Sequence, residues 1–463
     1  MKEKERIRLL NTILDYNRDL DFTELVFYHW DTSLTRAANS EVHQHVAETN
    51  SQLFITVADK KKTCSISTNN LDPQSIKRAI EKAKDMIRQI SPIPHFSAPP
   101  GHNKTHLKSV FSKNTAQCSP NRRVKTVKKI IKKAQEYNLT THAKFLTGKG
   151  EVWVVNSLGT LVSTDFTDAS LSLILTGEDG SSGYGASASN DVLQINWEAL
   201  VNEAIKKCQM QKRTPVDIFS KSKGGEAKRF DIILEPYAVA DWVKYLGWIG
   251  FNSLHYQEKE SFMCNHLGER VMGENITIWD DGQDSRGYVM PFDFEGTPKV
   301  KTVFIEKGKA KSLSYDSLLA AKEGKKSTGH ALLPGMRDMG ATPLHLFMEG
   351  DNSSLEEMIA TSKEPTIYIS RFHYNNTVNR KEALLTGMTR DGTFLVEDGE
   401  IKYPIVDLRY LQSIVEAFNH VTMLSPWKVI HDPGGYVPLM PESTVVPALK
   451  IKGARFMGSR GRS

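Results

Sequence analysis

The sequence predicts an α+β protein, a mixed α/β N-terminal region followed by a large, mainly antiparallel C-terminal domain. Three observations predict it. Helical spacing and strand alternation recur in two blocks before residue 220, and strand patterns dominate after Asp231. The 463 residues, 39% hydrophobic and 25% charged, also suffice for two or three domains with sizeable cores.

The chain starts MKEKERIRLLNTIL, a charged amphipathic helix and not a basic stub before an apolar signal core. Residues 23–69 alternate β-branched and aromatic with polar residues, which predicts an antiparallel sheet. Asp72-Pro73 then starts a helix whose Ile76, Ala79, Ile80, Ala83 and Ile87 form one stripe. Prolines 92, 94, 99 and 100 mark residues 91–115 as a linker between a first subdomain, 1–90, and a second, 116–220. The second subdomain opens with a basic helix, NRRVKTVKKIIKK, in which Val124, Val127, Ile130, Ile131 and Ala134 keep one face apolar. Strands such as GEVWVVNS and SLSLILTG follow, with turns at 156–159 and 178–180, and then a helix over 197–212. KSKGG, at 221–225, marks the boundary of the C-terminal domain, 226–463. There DIILEP leads into a helix beginning at Pro236, hairpin turns fall at 306–308 and 397–399, and 408–421 carries a helical stripe of Leu411, Ile414, Val415 and Phe418.

Composition narrows the function. No apolar run approaches the roughly 18 residues of a membrane helix, so a cytoplasmic protein that contacts no membrane is expected. Cys64, Cys118, Cys208 and Cys264 lie far apart without a Cys-x-x-Cys pair and read as reduced thiols. The net charge of +6 is small, and its densest part, the basic helix, holds no aromatic residue to stack on bases. A nucleic-acid partner is therefore not expected; a DNA-associated regulator working through this stripe remains an alternative.

Several motifs are absent. GEDGSSGYG at 177–185 fits neither dinucleotide nor P-loop spacing, and its acids would repel phosphate, so a hairpin is expected. None of the fourteen histidines precedes a glutamate. His43 and His45 share a strand face, but two ligands do not make a zinc site. No nucleophile elbow occurs. Segments 326–330 and 371–376 gather Ser327, Gly329, His330 and His373, groups that could line a cleft.

Taken in order, nine segments resemble the TldD/PmbA (TldD/TldE) metallopeptidase family. They are TRAANSEVHQHVAE at 35–48, STNNLD at 67–72, VNSLGT at 155–160, EDGSSGYGASAS at 178–189, LEPYAVADWVKYLG at 234–247, GERVMGENITIWDD at 268–281, PFDFEGTP at 291–298, STGHAL at 327–332 and LLTGMTRDGTFLVEDGEI at 384–401. The resemblance implies a β-barrel-like C-terminal domain and a cytoplasmic protein that pairs with a related chain around a channel for unfolded peptide. It also implies a link to peptide maturation and the family's historical label as modulators of DNA gyrase. TldD-type subunits carry His-Glu-x-x-x-His on a helix of the C-terminal domain and a later cysteine; TldE/PmbA-type subunits lack them.

Counted from Pro236, where the peptidase subunits also have a proline, those positions fall on Lys244, Tyr245 and Ile249. A shift of one residue offers only Trp248 or Gly250, no cysteine follows Cys264, and His431 is the one later candidate ligand nearby. A lone imidazole does not hold a catalytic zinc. The resemblance therefore points to a TldE/PmbA-type subunit with no catalytic residue, metal or cofactor of its own, whose TldD-like partner carries the zinc. The alternatives are a homodimer and an independent peptide-modifying or hydrolytic enzyme using Lys244, Tyr245, His330 or His373. Peptide held by strand addition would meet sheet edges at 36–48, with Arg36, Asn39 and His43, and at 386–394, with Thr386, Gly387 and Phe394, beside Ser327, Gly329, His330 and His373.

Overall fold

A computed structural model describes residues 3–99, 101, 105, 106, 110–220, 227–430 and 442–459. The expected 221–225 boundary and His431 lie outside these residues.

The N-terminal sheet runs in the order Lys62–Thr68, Glu41–Asp59, Phe22–Ala38, Thr140–Asn156 and Leu161–Thr176, with Ser182–Ser189 paired to the last of these. Strands from both expected subdomains thus share one sheet, joined where Phe22–Ala38 pairs antiparallel with Thr140–Asn156. Side-chain alternation divides its faces. Leu25, Phe27, Ile55 and Trp153 pack with helices Glu3–Tyr16 and Pro73–Gln89, while Phe145, Leu171 and Leu173 pack with Pro120–Gln135 and Trp197–Met210. Val26, Tyr28, Val154 and Phe166 point the other way, onto Phe292, Phe294 and Leu333 of the C-terminal domain. Packing on both faces explains why FTELVFYHW is almost continuously buried.

Helix starts follow the expected chemistry. The Asp72 side chain accepts from the Gln74 and Ser75 amides ahead of Pro73–Gln89, and Ser119 accepts from the Arg122 amide ahead of Pro120–Gln135. Residues 177–181 close a hairpin, with Gly180 at φ 79°.

The C-terminal domain holds two sheets. One has the order Lys309–Ala310, Thr302–Glu306, Ile278–Asp280, His345–Met348, Ser443–Val446, Lys428–Ile430. In the other, Thr366–Asn379, Lys228–Leu234, Leu449–Ser459, Leu408–Ser413 and Leu384–Glu397 follow one another, and the last also pairs with the first. The pairings of these five strands therefore run in a ring.

Two expectations change. Residues 408–421 are not one helix: Leu408–Ser413 is a strand and only Ile414–Asn419 is helical. Pairing with neighbours on both sides and the alternate burial of Leu408, Tyr410 and Gln412 override the local helical stripe. Residues 386–394 do not form a hairpin, because Leu384–Glu397 is one strand paired to Thr366–Asn379 on one side and, on the other, to Leu408–Ser413 through 384–388 and to Glu400–Pro404 through 394–397.

A buried charge cluster ties the N-terminal sheet to the C-terminal domain. Arg337 donates to Glu24 at 2.6 Å and to the Phe294 carbonyl at 3.2 Å. Asp293, Glu295 and Asp316, all buried, stand on the same side of the seam.

Candidate functional site

The helix that resembles the zinc helix of the peptidases is Pro236–Tyr245, continued by a π turn, Leu246–Gly250. Pro236 pre-sets its first turn, and Glu235 at the N-cap spends its carboxylate elsewhere. That carboxylate accepts from Lys207 Nζ at 2.7 Å, Tyr368 Oη at 2.5 Å and Ser370 Oγ at 3.0 Å. Tyr237 receives Lys428 Nζ at 2.6 Å and donates to the Ala186 carbonyl at 3.0 Å. Burial, then the Glu203 charge, pushes the Tyr237 phenol well above its ordinary range.

The inner face is apolar as its spacing requires. Val239, Trp242, Val243 and Leu246 are buried, and Trp242 stacks on Phe372 with centroids 5.1 Å apart while its indole N–H reaches Tyr410 Oη at 3.3 Å. Two glycines allow the π turn its close packing: a Cβ on Gly247 would lie 2.9 Å from Leu346 Cδ1, and one on Gly250 2.3 Å from the Phe262 ring.

The three positions that align with the family's ligands differ in setting. Lys244, about a quarter exposed, sits 3.6 Å from Glu442. Tyr245 donates to the Asn375 carbonyl at 2.6 Å, and burial followed by the nearby Asp241 raises its pKa. Ile249 is wholly buried in the main core. Lys244 precedes and Ile249 falls within the π turn, which the Phe251 amide closes on the Leu246 carbonyl at 2.8 Å; the first keeps partial exposure and the second faces the core. An ammonium, a phenol and an alkyl group offer no zinc donor set. The arrangement can hydrogen-bond and pack.

Beside the helix lies a cavity of about 680 Å³ lined by Tyr245, Trp248, Glu260, Asn376, Val378 and Arg380. Sequence reasoning missed Glu260 and Arg380, which pair at 2.7 Å and come from separate loops without a local motif. Among the described residues, one set could offer three metal ligand atoms within 4.8 Å of one another, His255, Glu258 and Glu260. Arg380 already holds Glu260, and burial together with the Arg380 charge depresses the His255 imidazole, so this set is poorly suited to a cation.

The remaining candidates are dispersed. Arg36, Asn39 and His43 are exposed at the tip of the Phe22–Ala38/Glu41–Asp59 hairpin, where Asn39 takes φ 51°. On its outer side Glu41–Asp59 pairs with Lys62–Thr68 only from Leu53 onward, so 41–52 is an open edge among the described residues. Ser327 donates to the Tyr315 carbonyl at 3.1 Å, and Gly329 at φ 77° passes close to Lys299. His330 is sealed inside, 3.1 Å from Asp280 and 2.8 Å from Thr328 Oγ1. His373 is exposed; burial of its ring and the charges of Arg390 and Arg371 lower its pKa. Thr386 donates to the Tyr410 carbonyl at 2.9 Å, Gly387 lies against Asn375 and Tyr410, and Phe394 is fully buried. Of the strand candidates, Thr386 and Gly387 come near the helix through Tyr410 and Asn375, and His373 lies on the strand Thr366–Asn379 that packs against it.

Comparison with known proteins is consistent with this arrangement. Residues 227–458 match the profile of the PmbA/TldA metallopeptidase C-terminal domain, and 113–211 match that of its central domain. An uncharacterised protein of Methanocaldococcus jannaschii is 31% identical over 45% of this chain and 47% of its own length, so the match spans about half of that relative. The metalloprotease PmbA of Escherichia coli is 22% identical over 87% of this chain and 85% of its own length. Among solved structures, TldE from Thermococcus kodakarensis superposes with TM-score 0.85 at 21% identity, covering 97% of this chain and all of that one. A Thermotoga maritima protein described as a candidate modulator of a DNA gyrase gives TM-score 0.81 at 16% identity over 97% of this chain and all of its own.

Proposed function

This chain belongs to the PmbA/TldD metallopeptidase family, and from that premise we propose that it is the family's zinc-free kind of subunit, pairing with a zinc-bearing relative to process unfolded peptide. The observation that carries this reading is the set of side chains on the helix at 236–250. Lys244, Tyr245 and Ile249 stand where the peptidases place their ligands, Ile249 is committed to the core, and no cysteine follows Cys264.

Peptide is held here by strand addition. With 384–388 and 394–397 paired on both sides, the 41–52 edge of the N-terminal hairpin is the longer candidate among the described residues, since an unpaired edge turns alternate amides and carbonyls outward. Such contacts use the peptide backbone and suit substrates of little sequence preference. Among the described residues no helix is long and apolar enough to cross a membrane. A cytoplasmic location belongs to the same proposal.

The test is metal analysis and size-exclusion chromatography of the chain alone and mixed with a His-Glu-x-x-x-His relative from the same genome. The expected result is no stoichiometric zinc alone, and one zinc per co-eluting pair. Zinc in the lone chain, or separate elution from every such relative, would overturn the reading.

A further inference from the structure

The basic helix Pro120–Gln135 forms one wall of a groove of about 530 Å³. Arg122, Lys125 and Lys129, at i, i+3 and i+7, line it from one helix face. The opposite wall is apolar, with Leu193, Ile195 and Trp197, and Phe145 also lines it. Lys129 Nζ stands 5.5 Å from the centre of the Trp197 ring.

This arrangement is not that of an ordinary solvated lysine face. In a solvated face, cations point at water or at acids on their own helix, as Lys133 does toward Glu136 at 3.2 Å. Arg122, Lys125 and Lys129 form no ion pair among the described residues; Arg122 acts on Asp191 only through its field, and no carboxylate lines the groove. Opposite them an indole is left half-buried and Leu193 is 53% exposed, apolar surface that an isolated helix face would not need. The sequence showed a basic stripe without an aromatic; folding supplies the aromatic from the first residue of the helix Trp197–Met210.

We infer that this groove binds an anionic ligand carrying a planar ring, the chemistry of a nucleotide. Phosphate oxygens pair with Arg122, Lys125 and Lys129, and the ring stacks against Trp197. An inorganic anion would leave the indole unused, and an acyl chain would leave three cations along its length. The source is either free nucleotide or a unit of single-stranded nucleic acid. The inference stands independently of the peptide-processing reading.

The test is fluorescence anisotropy of a labelled oligothymidylate of about ten nucleotides with the full chain, repeated across roughly 50 to 200 mM salt and with thymidine monophosphate as competitor. Binding is expected, with a log–log salt slope of about −2 for two to three single-strand phosphates. Lys125→Glu combined with Lys129→Glu is expected to weaken it more than tenfold, and Trp197→Leu about tenfold with the salt slope unchanged, as loss of one stacked base requires. Competition by the mononucleotide assigns the site to free nucleotide; binding of the oligomer alone assigns it to a strand. No binding at low salt, or binding unaffected by the charge variant, overturns the inference. So does a folded Trp197→Leu that binds like the wild type, which would mark a plain polyanion patch. The lysines are exposed, so the charge variant stays decisive where Trp197→Leu loses the fold.

Discussion

Replacing Glu235 by Gln tests how the helix at 236–250 is anchored. Lys207, only 6% exposed at its side chain, lies between Glu235 at 2.7 Å and Glu203 at 2.9 Å and also donates to the Tyr184 carbonyl at 3.2 Å. Burial disfavours its charge, yet the two carboxylates outweigh burial and hold its pKa above the ordinary lysine value. Breaking a buried pair from one side costs about 3–5 kcal/mol, because the surviving ion stays buried without its partner. Glu203 remains, which places Glu235→Gln near the lower end, about 3 kcal/mol. Exchanging both residues, Glu235→Gln with Lys207→Met, leaves no stranded ammonium and is expected to cost less than the sum of the single changes by about 2 kcal/mol. The assay is urea unfolding followed by tryptophan fluorescence across the four members of the cycle. A loss below about 1 kcal/mol in Glu235→Gln, or additive single changes, would refute the argument.

Three further outcomes follow from the same kind of bookkeeping. Burial pushes Glu24 up to about 7 against the pull of Arg337, and burial with the Glu295 charge raises Asp293 and Asp316. Groups whose folded pKa is raised stabilise the fold below their unfolded pKa of about 4 and lose that contribution as pH climbs through the folded value. Urea midpoints are therefore expected to fall between about pH 5 and pH 8, and Glu24→Gln to flatten the fall; an equally steep decline in the variant would contradict this. Tyr245→Phe, which removes the bond to the Asn375 carbonyl, is expected to lose about 1 kcal/mol in the same titration, against none if the hydroxyl is idle. Gly250→Ala drives a methyl into the Phe262 ring and is expected to cost about 1–3 kcal/mol, read as a lowered thermal midpoint; an unchanged midpoint would show that the ring can move aside.

Much of the fold was legible because local signals and tertiary demands agree. Asp72-Pro73 begins a helix, Gly180 and Gly399 sit at positive φ in hairpins, and Val239, Trp242, Val243 and Leu246 face the core, as their spacing requires. The misreadings lie where long-range pairing decides. Leu411, Ile414, Val415 and Phe418 have helical spacing, but the strand slot between Leu384–Glu397 and Leu449–Ser459 claims 408–413. The hairpin expected at 386–394 failed for the same reason, since periodicity reports the buried face of a strand and not its neighbours. Site residues were legible where a linear motif carries them, as on the helix at 236–250. Glu260, Arg380 and Trp197 gain their settings only through folding.

The retained helix has a physical explanation that does not involve chemistry at its outer face. Its inner face is fixed by Trp242 against Phe372, Tyr410 and Phe418, and its last turn by the close approaches at Gly247 and Gly250. These contacts impose the π turn whichever side chains occupy 244, 245 and 249, because a π turn is set by backbone packing and by the Phe251–Leu246 hydrogen bond. Among the three, 244 and 245 keep partial exposure and carry polar groups with partners of their own, Glu442 and Asn375. At 249 an alkyl group faces the core, where burial of apolar surface favours it. On the proposed reading, a helix of this kind serves as a scaffold, held by the hydrogen bond of Tyr245 and the packing of Trp242 and Ile249.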